Sequence, residues 1–228
     1  MIEKKMAEIN AKIFIQAKTV ESMLNLALKG VFNRDSEACQ KVLEMEKSVN
    51  RMEIDIDELC TTVLALYQPE AAPLRKIITI LKNNNDLERI GDHAVNICES
   101  AAELKTFEKK DVYQLLHDMS DSALLMFSKA FLSFMKEDPA LARDVCSIDD
   151  SVDEIEMIIL KRSLDVMASE PGLALYGYHM IRIAQNLERI ADLSTNMAEE
   201  TVFMKEGRIL RHGKDESLGA KKEKKNNI

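Results

Sequence analysis

Apolar residues recur at helical spacing along almost the whole chain. Ile9, Ile13, Val20, Leu24, Ala27 and Leu28 share one side of a wheel drawn at about 100° per residue, and Gly30, Asn33 and Arg34 break the pattern, which predicts a first helix over residues 3–31. Asp35 and Ser36 can cap a second helix. It carries Val42, Val49, Met52, Ile56, Leu59, Val63 and Leu66 on one side and ends at Gln68-Pro69. Pro73 suits the first turn of a third helix, whose apolar side is Leu87, Ile90, Ala94, Ile97 and Ala101 and which runs to about residue 104. After the polar run 105–110 the pattern restarts. It predicts a fourth helix over 111–135, a fifth over 139–168 behind an Asp138 cap and Pro139, and a sixth from the Pro171-Gly172 break to about 204.

The polar faces repeat as closely as the apolar ones. In NNDLERIGDHAVNICE, residues 84–99, Glu88, Asp92 and Asn96 follow at four-residue intervals with Glu99 three further on. In QNLERIADLSTNMAEE, residues 185–200, Glu188, Asp192, Asn196 and Glu199 do the same. Residues so spaced share a helix face, and here it lies opposite the apolar side, so both stripes are expected to point outward. A second acidic stripe, Glu46, Asn50, Glu53 and Asp57, occupies the second helix, and Asp149, Asp153 and Glu156 occupy the fifth.

EKSVNRME from Glu46 aligns with DDSVDEIE from Asp149 at an offset of 103, and the later stretches align at 100, so the second-to-third-helix loop is three residues longer in the first half. A repeat of this length is too long for a solenoid unit and suits two fused bundles. The expected fold is all-α: two repeated three-helix bundles, up-down-up with short loops, over residues 1–106 and 107–212. Residues 213–228 form a polar tail that is expected to be disordered. A short loop places the two acidic helices of each bundle antiparallel, so their stripes can flank one groove.

Composition narrows the function. With 46% hydrophobic and 31% charged residues, seven Gly, four Pro and no Trp, the chain has the make-up of long helices. A net charge of −8 excludes the basic face a nucleic-acid binder needs. Cys39, Cys60, Cys98 and Cys146 form no CxxC pair and read as thiols of a reducing compartment. Neither a secretory leader nor an apolar run of the ~20 residues a spanning helix needs is visible, which points to the cytoplasm. No Glu-x-x-His pair of a di-iron bundle, phosphate-binding loop or nucleophile elbow occurs, so the chain is expected not to be an enzyme.

Like charges four apart repel, and a cation between the stripes would relieve that. Carboxylate and amide oxygens without thiolates suit Mg, Ca, Mn or Fe. His93 lies ~100° around the wheel from Asp92 and is read as a bundle histidine rather than a ligand.

At these residues the chain resembles the PhoU family, which carries an E(D)xxxD signature on each bundle. The signature stands here as Glu88-x-x-x-Asp92, Glu188-x-x-x-Asp192 and Asp149-x-x-x-Asp153, with Glu46-x-x-x-Asn50 as a departure in which an amide replaces the second acid and Glu53 is available in support. The likeness extends through VNRMEIDIDELCTTVLALYQPEAAPLRKIITILKNNNDLERIGDHAVNI and VFMKEGRILRH, over about residues 10–212.

The resemblance implies a negative regulator of phosphate uptake and phosphate-starvation signalling, an adaptor between a phosphate ABC transporter and a sensor histidine kinase. It also implies a homodimer that meets the membrane only through its partners and binds iron or zinc clusters on the bundle surface. The implied metal-binding residues are Glu46, Asn50, Glu88, Asp92, Asp149, Asp153, Glu188 and Asp192, supported by Glu53, Asn96, Glu99, Glu156, Asn196 and Glu199. Two alternatives stay open: a metal-free helical scaffold that docks a basic partner, and a hydrolase acting through several metal ions.

Overall fold

A computed structural model of the chain describes residues 2–107, 112–211 and 214–215. Its helices are α1 (Ile2–Asn33), α2 (Ser36–Tyr67), α3 (Ala71–Glu103), α4 (Val112–Lys136), α5 (Pro139–Cys146), α6 (Asp149–Ser169) and α7 (Ala174–Glu206). In the first half α1, α2 and α3 pack on one another, and in the second α4, α5 and α6 pack around α7. Each half is a three-helix bundle, as the periodicity predicts, with the middle helix of the second half broken in two.

Val42, Val49, Ile56 and Val63 show how the pattern makes the bundle. They lie seven residues apart, about two turns, and all four are at most 1% exposed. Leu66, expected on the same side, lies on the flank of this stripe in the last turn of α2 and is 71% exposed. Both caps read from the sequence form: Asp35 accepts from the Ala38 N–H, and Asp138 accepts from the Ala140 and Leu141 N–H groups.

The single helix expected over 139–168 is corrected to α5 and α6. At the junction the backbone tightens, with Ile148 N–H bonding Val145 O and Ser151 N–H bonding Ile148 O, three residues back instead of four. Hydroxyls support the break, since Ser147 Oγ donates to Asp144 O and Ser151 Oγ to Ile148 O. Asp149 and Asp150 therefore open a helix, where the macrodipole favours a carboxylate, whereas their counterpart region in α2 is mid-helix. The Ser147-to-Asp150 spacing is a helix-start pattern, although Ser147 does not supply the cap.

The length difference between the halves has a local cause. Gln68 closes α2 in a left-handed conformation, φ 44°, with its N–H on Leu64 O, and Pro69 and Glu70 then lead into α3. In the second half only Glu170 intervenes before a 3-10 turn, Pro171–Leu173, that stands in for the first turn of the following helix. The tail expected to be disordered lies mostly outside the described residues. At its start a correction is needed: Lys214–Asp215 (β2) pairs antiparallel with Leu210–Arg211 (β1).

The two bundles meet along α3 and α7, which was not foreseen from the pattern. Arg75 Nε donates to Met204 O at 3.2 Å, Thr79 Oγ1 to Glu200 O at 3.3 Å, and Lys82 Nζ lies 2.5 Å from Glu200 Oε1. Further along, His93 Nδ1 meets Asn186 Oδ1 at 2.9 Å, and Arg182 Nη2 reaches Asn96 Oδ1 at 3.1 Å and Glu99 Oε2 at 2.6 Å. Positions rise on α3 as they fall on α7, so the helices are antiparallel. The two cations that bind a glutamate across the seam, Lys82 on Glu200 and Arg182 on Glu99, stand at matching positions of the repeat, 100 residues apart.

Candidate functional site

The first acidic groove is built by α2 and α3. Glu46, Asn50 and Glu53 look across from α2 at Glu88 and Asp92 on α3, because Val49 and Ile56 turn inward on one helix while Leu87, Ile90 and Gly91 do so on the other. Burial raises the Glu88 carboxyl above its ordinary value, and Asp92, Glu53 and Glu46 raise it further. Burial and then Glu46 raise Asp92 in the same way. Glu53 is raised by burial and by Asp57, against a hydrogen bond from Asn85. None of these four carboxylates forms an ion pair among the described residues.

The second groove is built by α6 and α7 from Asp149, Asp153, Glu156, Glu188 and Asp192. Glu188 is pushed up to about 7, chiefly by burial and then by Asp192, Glu156 and Asp153. Burial leads the upward shifts of Asp149, Asp153 and Glu156 as well, with Asp192 adding to each. Thr195 Oγ1 donates to Asp149 Oδ1 at 3.2 Å and so orients the carboxylate at the α6 N-terminus. Thr195 is a site residue the sequence reading did not single out. Its only signal there was a position three residues past Asp192, one turn along the same helix.

The structure divides the supporting residues. Glu53 and Glu156 join the grooves. Asn96 and Glu99 instead face α7, where Arg182 binds both, and Asn196 and Glu199 line a polar cleft of about 260 Å³ with Lys82, Asn85, Asp86 and Glu200. One further turn along each helix has carried these four from the groove to the seam between bundles. His93 is half-buried and donates from Nδ1 to Asn186, whose own amide donates to Arg182 O at 2.7 Å. Burial lowers its pKa, so it is a neutral seam residue.

The upward shifts have a consequence for stability. Each shifted groove carboxyl has a higher pKa folded than unfolded, so the folded chain holds protons the unfolded chain has released, and stability falls as pH rises between the two values. For Glu188 that window runs from 4.5 to about 7. In chelator-containing buffer the melting temperature is therefore expected to rise as pH is lowered from about 8 to about 6. Glu188→Gln is expected to remove part of that slope and to raise stability at the upper pH by about 1 kcal/mol after allowance for solvent screening, or ~2–4 °C. Thermal melts at both pH values check it; a slope unchanged by Glu188→Gln would contradict the assignment.

Can these residues hold a cation? Asn50 gives the sharpest indication. Its amide nitrogen donates to Glu46 Oε1 at 2.5 Å, while its Oδ1 is buried without a partner. An unspent carbonyl oxygen beside a carboxylate, facing two more, is a hard-donor set, so the departure from the E(D)xxxD pattern keeps a ligand atom. Among the described residues no group of three His, Cys, Asp or Glu side chains closes tightly enough to enclose an ion. The donors fit a cation in kind, and binding would require the side chains to draw together.

Comparison with known proteins places the grooves in a family. The PhoU domain matches the chain twice, at residues 15–101 and 116–201, and each match spans one pair of acidic helices. A phosphate-specific transport system accessory protein PhoU homolog of Aquifex aeolicus (strain VF5) is 32% identical over 209 residues, which cover 92% of this chain and 95% of that protein. The phosphate-specific transport system accessory protein PhoU of Escherichia coli (strain K12) is 29% identical over 209 residues, covering 91% and 87%. The crystal structure of PhoU from Pseudomonas aeruginosa superposes with a TM-score of 0.88 at 30% identity, covering 91% of this chain and 100% of that one. The phosphate transport system regulatory protein PhoU from Streptococcus pneumoniae shares the fold, with a TM-score of 0.85 at 23% identity over 92% of this chain. Helices, acidic grooves and domain match are duplicated in step, and the chain belongs to the PhoU family.

Proposed function

We propose that this protein is a cytoplasmic, non-enzymatic negative regulator of phosphate uptake and of the phosphate-starvation response. It acts as an adaptor between a phosphate ABC transporter and a sensor histidine kinase, works as a homodimer, and holds metal ions in its two acidic grooves. Family membership and the names of its relatives support the phosphate role. Among the described residues no helix is long and apolar enough to cross a membrane, which is compatible with contact to the membrane through partners.

The observation that carries the metal part is the pair of matched grooves whose carboxylates raise one another's pKa and, among the described residues, are bridged by no lysine or arginine. Concentrated, partly desolvated negative charge favours a proton or a cation. Glu46, Asn50, Glu53, Glu88 and Asp92 would hold the ion in the first groove, and Asp149, Asp153, Glu156, Glu188 and Asp192 in the second. Oxygen ligands of this kind suit Mg, Ca, Mn or iron; zinc rests on the family resemblance alone. Bound there, a cation would neutralise the groove and clamp the two helices that line it.

A second reading, in which the acidic grooves dock a basic surface of a partner directly, draws on the same concentrated negative charge. Both readings predict the same loss in cells. Deleting the gene is expected to leave phosphate-uptake genes expressed in phosphate-rich medium, with repression restored by the wild-type chain and not by one carrying Glu88→Gln, Asp92→Asn, Glu188→Gln and Asp192→Asn. Normal repression in the deletion strain, read by reporter expression, would overturn the regulatory role.

A further inference from the structure

Beyond the grooves, the first turn of α2 and the last turns of α3 enclose a cavity of about 330 Å³ lined by Gly30, Cys39, Leu43, Cys98 and Lys105, among others. Cys39 is partly exposed there and Cys98 is buried behind it; both thiols are free and line the same cavity, and each shifts the pKa of the other. Gly30 makes room for the outer thiol, since a Cβ at that position would stand 2.2 Å from Cys39 Sγ. At the equivalent positions of the second half, offset by 103 and 100, stand Ala142 and Ala198, both buried. A methyl group satisfies the packing of the same helix pair, so the fold does not require sulfur at either place.

We propose that Cys39 and Cys98 form a peroxide-reactive dithiol, in which Cys39 at the cavity mouth is the thiol that is oxidised and Cys98 is the thiol that resolves it into a disulfide joining α2 to α3. Cys39 sulfur attacks one oxygen of a hydroperoxide: the S–O bond forms, the O–O bond breaks, and the departing oxygen leaves as water or an alcohol after taking a proton. Cys98 then loses its proton and attacks the Cys39 sulfenic acid. The S–S bond forms, the S–O bond breaks, and water leaves. Two thiols are oxidised by two electrons in total, and one peroxide is reduced.

The electrostatics agree with this division of labour. Cys98 and the Lys105 charge lower the Cys39 thiol against the effect of burial, while Cys39 and burial push the Cys98 thiol up. The remaining cysteines differ. Burial pushes the buried Cys60 up to about 12, and Cys146, half-buried like Cys39, is pushed up to about 11 by burial and by the Glu199 and Asp149 charges, so both hold less of the reactive thiolate.

The test uses the full chain, fully reduced and then exposed to graded hydrogen peroxide, with thiols followed by intact mass and non-reducing peptide mapping. Cys39 is expected to react at least about tenfold faster than Cys60 and Cys146 and to appear in a Cys39–Cys98 disulfide. Cys98→Ala should stop the reaction at a Cys39 sulfenic acid that a cyclic dione labels, and Cys39→Ala should leave Cys98 reduced. Circular dichroism checks that both variants keep the helical fold, as the second half's alanines indicate. Cys39 oxidising no faster than Cys60 and Cys146, or passing to sulfinic acid with Cys98 still free, would overturn the proposal.

Discussion

Ile90→Ala is expected to cost the protein about 3 kcal/mol of stability, whereas Leu66→Ala should cost less than about 0.5 kcal/mol. Both remove the same class of side chain from long helices of the first bundle. Ile90 is 0% exposed, on a helix that packs against α1, α2 and α7, and Leu66 is 71% exposed. Deleting the Ile90 side chain leaves a cavity among three neighbours that cannot all collapse onto it, between the turns that carry Glu88 and Asp92. Urea unfolding measures both costs. Similar values for the two variants would contradict the placement of α3 at the centre of the molecule.

The second large effect is electrostatic. Replacing Glu188 by Gln and Asp192 by Asn is expected to weaken divalent-cation binding to the second groove by about 100-fold, roughly a factor of ten for each lost charged ligand. Glu188 and Asp192 are the α7 side of that groove, and the α6 acids Asp149, Asp153 and Glu156 cannot close around an ion without them. Calorimetric titration with Mn²⁺ reads the loss. The second groove should also be the tighter of the two, since it offers five carboxylates where the first offers Glu46, Glu53, Glu88, Asp92 and the Asn50 carbonyl. Arg182→Ala supplies the contrast. It frees Asn96 and Glu99, which lie at the seam with α7, and should leave groove affinity unchanged; a large change would return those two residues to the site.

The particular residues show how far a wheel drawn on sequence reaches. It placed Val42, Val49, Ile56 and Val63 inward, and it put Glu88 and Asp92 outward, because one helix face follows from spacing alone. It could not see which neighbour each outward face meets. Asn96 and Glu99 belong to the same stripe as Glu88 and Asp92, but one further turn turns them from α2 toward Arg182, and that depends on how the bundles dock. The break at Ser147-Ile148 is hard to read because no Pro or Gly interrupts residues 140–170 and the chain is turned there by backbone and serine hydroxyl bonds. Asn50 gained meaning only with the structure, since an orphaned Oδ1 is a property of its surroundings.

The central claim is that the grooves bind cations, and metal content tests it most directly. Protein purified without chelators, then titrated with divalent metal and assayed by elemental analysis, should hold cation in both grooves. The variant carrying Glu88→Gln, Asp92→Asn, Glu188→Gln and Asp192→Asn should hold none. Equal and negligible metal in the two proteins would contradict the claim and leave the grooves as docking faces for a basic partner.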